Sequence, residues 1–310
     1  MTTPMEICVI IPAYNASQYI DQAINSVVMQ TVPITEIIVV DDGSTDNTSE
    51  IVKTVAPNVI LVKQSNSGPS AARNRGLDLA QGDVVAFLDA DDLWFPNKIE
   101  QQLKLISPEN GVSAVATAFE MFDDLGSTRR EVLISDAELK QYTPLDFAVF
   151  TRVFPSLLII DRRIAGDVRF PQDINAAEDL IYMSQIRAKG QVRAVEEVLV
   201  RRRHHKFQLT RRKEHHIQNL LQRLEWIRDN WSSLNVLSVE KAEHQFWNAA
   251  ADAVLIKLWE RDLDSFQIMR QELLNIWPCN QPIPPYLTRR LYPKWLYHIK
   301  DAIDSLMVKT

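Results

Sequence analysis

The chain has 310 residues, 46% hydrophobic and 24% charged, with 8 glycines and 15 prolines, which fits one large domain or two around a sizeable core and excludes disordered, collagen-like and low-complexity classes. No apolar run approaches the roughly 18 residues of a membrane-spanning helix, and the first Lys or Arg is Lys53, so no secretory leader with a basic start is expected and the chain reads as cytoplasmic. The net charge of −6 conceals an asymmetry: residues 1–200 carry 16 Lys and Arg against 28 Asp and Glu, and residues 201–310 carry 18 against 12, so the body is too acidic for nucleic acid while the last third suits an anionic partner.

In chain order, residues 7–11, 35–40, 58–63, 83–88 and 112–119 are short apolar or β-branched runs that read as buried strands. Between the first two, Ile20, Ala23, Ile24, Val27 and Val28 recur at helical spacing behind Ser17, a candidate N-cap. Further helices are predicted over 46–56, 69–80 and 96–106, the last two with Pro69 and Pro96 in the first turn. The alternation predicts an α/β fold, a mostly parallel sheet with helices on both faces. From 120 to 210 the pattern loosens: a loop rich in Asp, Gly and Ser at 123–128, an apolar run at 157–160, a helix near 178–189 and a strand near 192–203. Beyond Thr210 nearly everything reads as helix. Ile217, Leu220, Leu221, Leu224, Ile227 and Trp231 form one stripe, and Trp247, Ala250, Ala251, Val254, Leu255 and Leu258 another. A boundary near 210 therefore separates a domain over 1–210 from an α-helical region over 211–310, in which residues 278–285 look like a rigid connector. Cys8 and Cys279 give neither a disulfide framework nor a metal-ligand spacing.

In such a sheet ligands bind beyond the carboxyl ends of the strands. Four polar stretches fall there: Pro12 to Asn15, Asp41 to Asp46, Gln64 to Gly68, and Asp89-Ala90-Asp91-Asp92. Any one could be a capped helix start, and Asp41 to Ser44 offers N-cap side chains. Four at one edge point to a ligand. Asp89 and Asp91 alternate at a strand end, so their carboxylates share one side and repel unless a positive charge lies between them. A divalent cation relieves that repulsion, and Mg²⁺ takes one or two protein carboxylates and completes its shell with phosphate oxygens. This suggests a metal-diphosphate site, with a solvated acidic turn ahead of Pro96 as the plainer alternative. Neither G-x-G-x-x-G after the first strand nor G-x-x-x-x-G-K-[ST] occurs, which disfavours a nicotinamide dehydrogenase and a backbone phosphate cradle.

The strings VIIPAYN, IIVVDDGSTDNT, NSGPSAARNRGL and GDVVAFLDADDLWFPNKIEQQ, in that order, resemble the N-terminal half of a family 2 glycosyltransferase, and EDLIYMSQIRAKG and LVRRRHHKFQLT extend the likeness to about residue 210. The resemblance implies a Rossmann-like GT-A fold, an inverting transfer and dependence on a divalent cation, Mn or Mg, through the Asp-x-Asp spacing. It places Pro12, Tyr14 and Asn15 beside the nucleotide base of a sugar donor, taken to be UDP-linked, and Asp42 on the base or ribose. It places Arg73 near the base or diphosphate, Asp89 and Ala90 along the ribose and phosphates, and Arg203 near the phosphates or the acceptor. Asp91 would ligate the metal, with His205 beside it at the metal, phosphates or acceptor, and Asp179 would be the general base. Arg202 stands where the family often has an aromatic residue.

The implied reaction passes the sugar to a hydroxyl of a saccharide or lipid-linked acceptor, in cell-surface polysaccharide or glycolipid synthesis. A non-catalytic nucleotide-sugar-binding protein and a nucleotidyltransferase are the rivals. The seven Lys and Arg of residues 201–213, with no acid among them, read either as solvated charge or as a peripheral contact with the anionic inner face of a membrane, aided by the aromatic tail around Trp295. Donor sugar, acceptor and oligomeric state have no signature in the sequence.

Overall fold

The structure, a computed structural model, describes residues 5–149, 151–174, 178–205, 216–234, 238–259, 263–278, 281–283 and 287. The strands β1 (Ile7–Ala13), β2 (Glu36–Asp41), β3 (Ile60–Lys63) and β4 (Val84–Phe87) run parallel in the order β3-β2-β1-β4. Parallel neighbours need crossovers, which α1 (Ile20–Val28), α2 (Thr48–Val55) and α3 (Gly68–Leu79) supply. Because helices cover both faces, the strands are apolar on both. Cys8, Ile10, Ile38, Val40, Val85 and Phe87 belong to the core that includes Ala72 and Leu77 of α3. Their chain neighbours Ile7, Val9, Ile11, Val39, Val84 and Ala86 join Ile20, Ala23, Ile24 and Val27 of α1 in a second core. Gly76 lets α3 approach closely, since a Cβ there would lie 2.3 Å from Ile10 Cγ2.

The chain continues through β5 (Leu93–Trp94), α4 (Lys98–Leu103), β6 (Val112–Asp123), β7 (Thr128–Val132), α5 (Asp136–Gln141) and α6 (Pro144–Val149). It then forms β8 (Ile159–Asp161), α7 (Arg162–Ala165), α8 (Glu178–Lys189) and β9 (Gln191–His204). The full order is β3-β2-β1-β4-β8-β6-β9-β5, with β7 on β6. The expected mostly parallel sheet therefore holds for β1 to β4 and gives way beyond them to a mixed one. Strand β8 is antiparallel to β4 and β6, β7 to β6 and β5 to β9, while β9 runs parallel to β6. The β6–β7 connection is a short hairpin through Asp124 to Ser127, and hairpins make antiparallel neighbours.

Ser17 is not the cap of α1. The helix starts after Tyr19, whose N–H, like that of Ile20, donates to the Ala16 carbonyl at 2.9 Å. The Ser17 N–H instead donates to Asp46 Oδ2 at 3.1 Å.

Three helices follow the sheet: α9 (His216–Asn230), α10 (Val239–Trp259) and α11 (Leu263–Ile276). Leu224 and Ile227 of the first predicted stripe and Trp247, Ala250 and Ala251 of the second are buried in one core, which also takes in Leu145 and Ala148 of α6. The helical region thus packs directly on the α/β body. The side chains of Ile217, Leu220, Trp231, Val254, Leu255 and Leu258, together with residues 206–215, half of the predicted connector and the tail around Trp295, lie outside the described residues. Among the described residues no helix is long and apolar enough to cross a membrane.

Candidate active site

Register brings the carboxyl ends of the parallel strands level, since Ala13 pairs with Asp41 and Asp41 with Lys63. Asn15 adopts φ 48°, a left-handed conformation that Asn tolerates better than most residues. Its Oδ1 accepts from the Thr45 N–H at 2.8 Å and the Thr45 hydroxyl at 3.2 Å, and its own N–H donates to Ser44 Oγ at 2.9 Å. Asp42 is 4% exposed. Its carboxylate accepts from Gln64 Nε2 at 2.7 Å and from the Ser67 and Gly68 N–H groups at 2.9 and 2.8 Å. Asp41 accepts from the Ser44 N–H at 2.8 Å and from the Ser49 hydroxyl. Burial works to raise the Asp41 pKa, but the bonds from Ser44 and Ser49 outweigh it and hold the carboxyl below its ordinary value. Gly43, at φ 79°, completes the packing, because a Cβ there would come within 2.8 Å of the Asn66 nitrogen. Asn15 and Asp42 thus brace the loops with bonds to protein groups. Pro12 is half-buried at the end of β1, and Tyr14 is 51% exposed at the rim.

Beyond β4 the acidic stretch folds into a turn. The Asp92 N–H donates to the Asp89 carbonyl at 3.0 Å, and the Asp89 N–H to Ser156 Oγ at 3.0 Å. Ala90 is buried inside the turn, and Trp94 packs beneath it, its Nε1 donating to the Ser156 carbonyl at 3.0 Å. Strand β9 closes the far side. The strand period puts Arg203 and His205 on one side and Arg202 on the other, where the Arg202 guanidinium lies 4.7 Å from the Phe154 ring centre. Arg203 is 5% exposed, lies over the Tyr19 and Phe122 rings at 4.6 and 4.5 Å, and donates from Nε to the Asp91 carbonyl at 3.0 Å and from Nη2 to Gln22 Oε1 at 2.8 Å. Its backbone N–H donates to Asp92 Oδ1 at 3.1 Å.

His205 Nε2 lies 2.9 Å from Asp91 Oδ2. Burial and the Asp89 charge push the Asp91 carboxyl above its ordinary pKa, opposed by the His205 bond. Burial, reinforced by Asp91 and Asp89, pushes Asp92 well above its own. Among the described residues no group of three or more His, Cys, Asp and Glu converges. The donor set is therefore one carboxylate and one imidazole. A hard divalent cation could use both and complete its shell with phosphate and water oxygens.

The third part of the site is a bridge. Arg73, 7% exposed on α3, donates from Nη2 to Asp89 Oδ1 at 2.9 Å and from Nη1 to Glu178 Oε1 at 3.1 Å, with its guanidinium 5.2 Å from the Phe170 ring centre. Its neighbour Asn74 exchanges two bonds with the Phe170 backbone, at 2.8 and 2.9 Å. Asp179 follows Glu178 at the start of α8, half-buried, with Oδ1 accepting from the Leu180 N–H at 2.9 Å. A helix N-terminus favours an ionised carboxylate. Against that, burial first, then the Glu178 charge, push Asp179 up to about 6, opposed by Arg73, so it stays mostly ionised at neutral pH. From the C-terminal region, Arg223 on α9 also acts on Asp179. Burial lowers its pKa to about 10, a shift that the Asp179 charge opposes, so it stays a cation at neutral pH.

All the residues singled out from the sequence lie at this one edge of the sheet, but in different relations. Asp91 pairs with His205, Arg73 joins Asp89 to the Glu178–Asp179 pair, and Asn15 and Asp42 hold loops. Sequence reasoning missed Tyr19, Gln22, Ser156 and Arg223. Tyr19 and Gln22 sit around the start of α1, where helical spacing registers only apolar residues; Ser156 lies in a stretch with no periodicity. Arg223 is a single cation in a helix, with no motif around it.

The family model for glycosyl transferase family 2 matches residues 8–163, half of the chain and the part that carries β1 to β8. The putative teichuronic acid biosynthesis glycosyltransferase TuaG of Bacillus subtilis is 34% identical over 190 residues, 59% of this chain and 73% of that protein. An uncharacterized glycosyltransferase of Haemophilus influenzae is 43% identical over 178 residues, 55% of this chain and 68% of that protein. Against the Rickettsia conorii glycosyltransferase RC0461, 32% identical over 199 residues, the match spans 32% of the relative's length, and against alr2836 of Nostoc, 36%. Among solved structures, S. aureus TarS 1-349 in complex with UDP-GlcNAc superposes with a TM-score of 0.64 at 19% identity, covering 88% of this chain and 82% of that one. The mannosyltransferase PcManGT of Pyrobaculum calidifontis, in complex with GDP-Man and Mn²⁺, gives 0.55 at 17% identity over 98% and 81%. At these identities the structures speak for the fold, the expected GT-A arrangement, while the family model covers the strands and loops that carry Asn15, Asp42, Arg73, Asp89 and Asp91. The chain belongs to glycosyltransferase family 2.

Proposed function

We propose that the protein is an inverting glycosyltransferase that moves a sugar from a nucleoside-diphosphate sugar, taken to be UDP-linked, to a hydroxyl of a saccharide or lipid-linked acceptor in cell-surface polysaccharide or glycolipid synthesis. One observation carries this reading: the Asp91–His205 pair and the Arg73 bridge from Asp89 to the Glu178–Asp179 pair stand at the same strand edge. TuaG by its name, and TarS by its complexes with UDP-GlcNAc and UDP, support the pathway class and the donor class.

In the reaction the acceptor oxygen forms a bond to the anomeric carbon as the bond from that carbon to the diphosphate oxygen breaks. The electron pair leaves with the nucleoside diphosphate, and the acceptor proton passes to Asp179. A pKa of about 6 suits that role, since the group is mostly ionised at neutral pH yet basic enough to take a proton. Arg203 keeps the turn in shape by holding the Asp91 carbonyl. When bound, a divalent cation, Mn²⁺ or Mg²⁺, held by Asp91 and His205 supplies positive charge to the leaving diphosphate. Residues 1–210 carry the donor site in this reading, and the helical region 211–310 flanks the acceptor side, to which Arg223 belongs.

Incubation with a panel of nucleotide sugars and Mn²⁺ tests this. Release of free nucleoside diphosphate with glycosylated product is the expected result. Pyrophosphate would instead identify a nucleotidyltransferase, and donor binding without either product a non-catalytic binder.

A further inference from the structure

Arg73 belongs to the donor side in the family resemblance, yet both of its bonded ends are taken by protein carboxylates. One end holds Asp89, 32% exposed in the acidic turn; the other holds Glu178, 15% exposed at the start of α8. Those carboxylates come from segments far apart in the chain, and no other described side chain bonds to both. The support beneath Arg73 is also built for fixed placement. Phe170 lies against the guanidinium, stacks on Tyr182 of α8 with ring centres 3.8 Å apart, and is tied to Asn74, the residue after Arg73, through both backbone groups. The guanidinium and the first turn of α8 therefore rest on one rigid unit. A planar fork that bonds two carboxylates at once fixes direction as well as distance, which an ammonium does not.

We propose that Arg73 is a positioning residue: it clamps Glu178 to Asp89 and so sets the place and charge environment of the adjacent Asp179, rather than serving first as a ligand of the nucleotide. The proposal rests on reading Asp179 as the base. Asp179 is faced by Glu178 on its own helix, Arg73 from α3, Asp89 from the acidic turn and Arg223 from α9. Removing the Arg73 charge leaves the anions unopposed on that side and makes Asp179 harder to ionise. Removing the Glu178 charge does the reverse.

The two changes thus have opposite signs. In ¹³C-carboxyl NMR titrations of the full chain, with the Asp179 signal assigned by its loss in Asp179→Asn, Arg73→Gln should move the Asp179 titration up by about one pH unit and Glu178→Gln should move it down. The acidic limb of kcat/KM should follow, with kcat about 10-fold lower in Arg73→Gln and UDP affinity within a few-fold of the unchanged protein. Arg73→Lys should restore the titration towards its original position but not kcat, because the charge returns without the fork. If Arg73→Gln does not fold, Glu178→Gln alone carries the test by removing the charge at the less exposed end of the bridge. An unmoved Asp179 titration in either variant overturns the clamp, as does an Arg73→Gln defect confined to UDP affinity. Because the NMR readout needs no turnover, a protein that transfers no sugar would sink the proposed function while leaving the clamp to be judged on the titration.

Discussion

Two acidic clusters line the same strand edge, and their carboxyl groups are perturbed in opposite directions. Around β2, burial raises the pKa of Asp41 and of Asp46, and in both cases hydroxyl and N–H donors outweigh it and hold the carboxyl low. Across the site, burial together with neighbouring carboxylates drives Asp91, Asp92 and Asp179 up. A buried carboxylate surrounded by donors stabilises the fold, whereas one crowded by others is held in place by the rest of the structure and is ready for a cation or a proton. In the proposed reaction the first cluster therefore holds the loops and the second carries the chemistry.

The largest expected effect breaks the second cluster at its base. Asp179→Asn is nearly isosteric and retains an oxygen for the Leu180 N–H, so kcat should fall by roughly 100-fold or more while UDP binding stays in place. Kinetics on the purified variant check it. Turnover within a few-fold of the unchanged protein would move the base elsewhere, with Glu178 the first candidate. Next in size is Asp91→Ala, which removes the carboxylate of the Asp91–His205 pair. The gain in melting temperature that UDP gives with Mn²⁺ should fall to its value in EDTA. Equal UDP stabilisation of the unchanged protein with and without EDTA would remove the cation from the proposal.

The first cluster should answer differently. Asp41→Ala strands a buried N–H and a hydroxyl, so it should cost about 2 kcal/mol of stability and lower the melting temperature. The protein that remains folded should keep its turnover. A large loss of kcat in a well-folded Asp41→Ala protein would erase the distinction between the two clusters.

That distinction was the part of the site not legible in the sequence. Runs such as ICVII and DVVAFL have no alternation because both faces are buried, and that alone was enough to place β1 to β4 and the ligand edge. Strand β5 escaped notice because two residues carry no period, and β7 because three of its five residues are charged. Within the site, Asp42 and Asp91 are equivalent as letters in a polar loop. What separates them is which donors reach them, the N–H groups of Ser67 and Gly68 for Asp42 and the distant His205 for Asp91, and those meetings are made by the fold. The direction of the Asp179 shift is hidden from the sequence for the same reason. The helix start is visible in the sequence, but the burial and the clash with Glu178 that overcome it are not.

The smallest effect is also the one that tests the sign of that shift. In the unfolded chain Asp179 titrates near 3.9, and in the folded protein at about 6. Between those values the folded state holds a proton that the unfolded state has lost, so this residue makes stability fall as pH rises through the window. Asp179→Asn removes the titration. Relative to the unchanged protein it should gain stability from pH 4 to pH 6.5, by on the order of 1–2 kcal/mol once the solvent around the half-buried carboxyl is allowed for. Asp41 and Asp46 have the opposite sign: their contributions are complete above the unfolded value and vanish as pH falls through their lower folded values, so the asparagine variant of either should lose ground as pH rises through 4. Melting curves of the Asp179→Asn and Asp41→Asn proteins, each against the unchanged chain, should therefore diverge in opposite directions as pH rises, Asp41→Asn losing ground below about pH 4 and Asp179→Asn gaining it above. Parallel curves would mean that Asp179 is an ordinary capping carboxylate and that the two clusters do not differ.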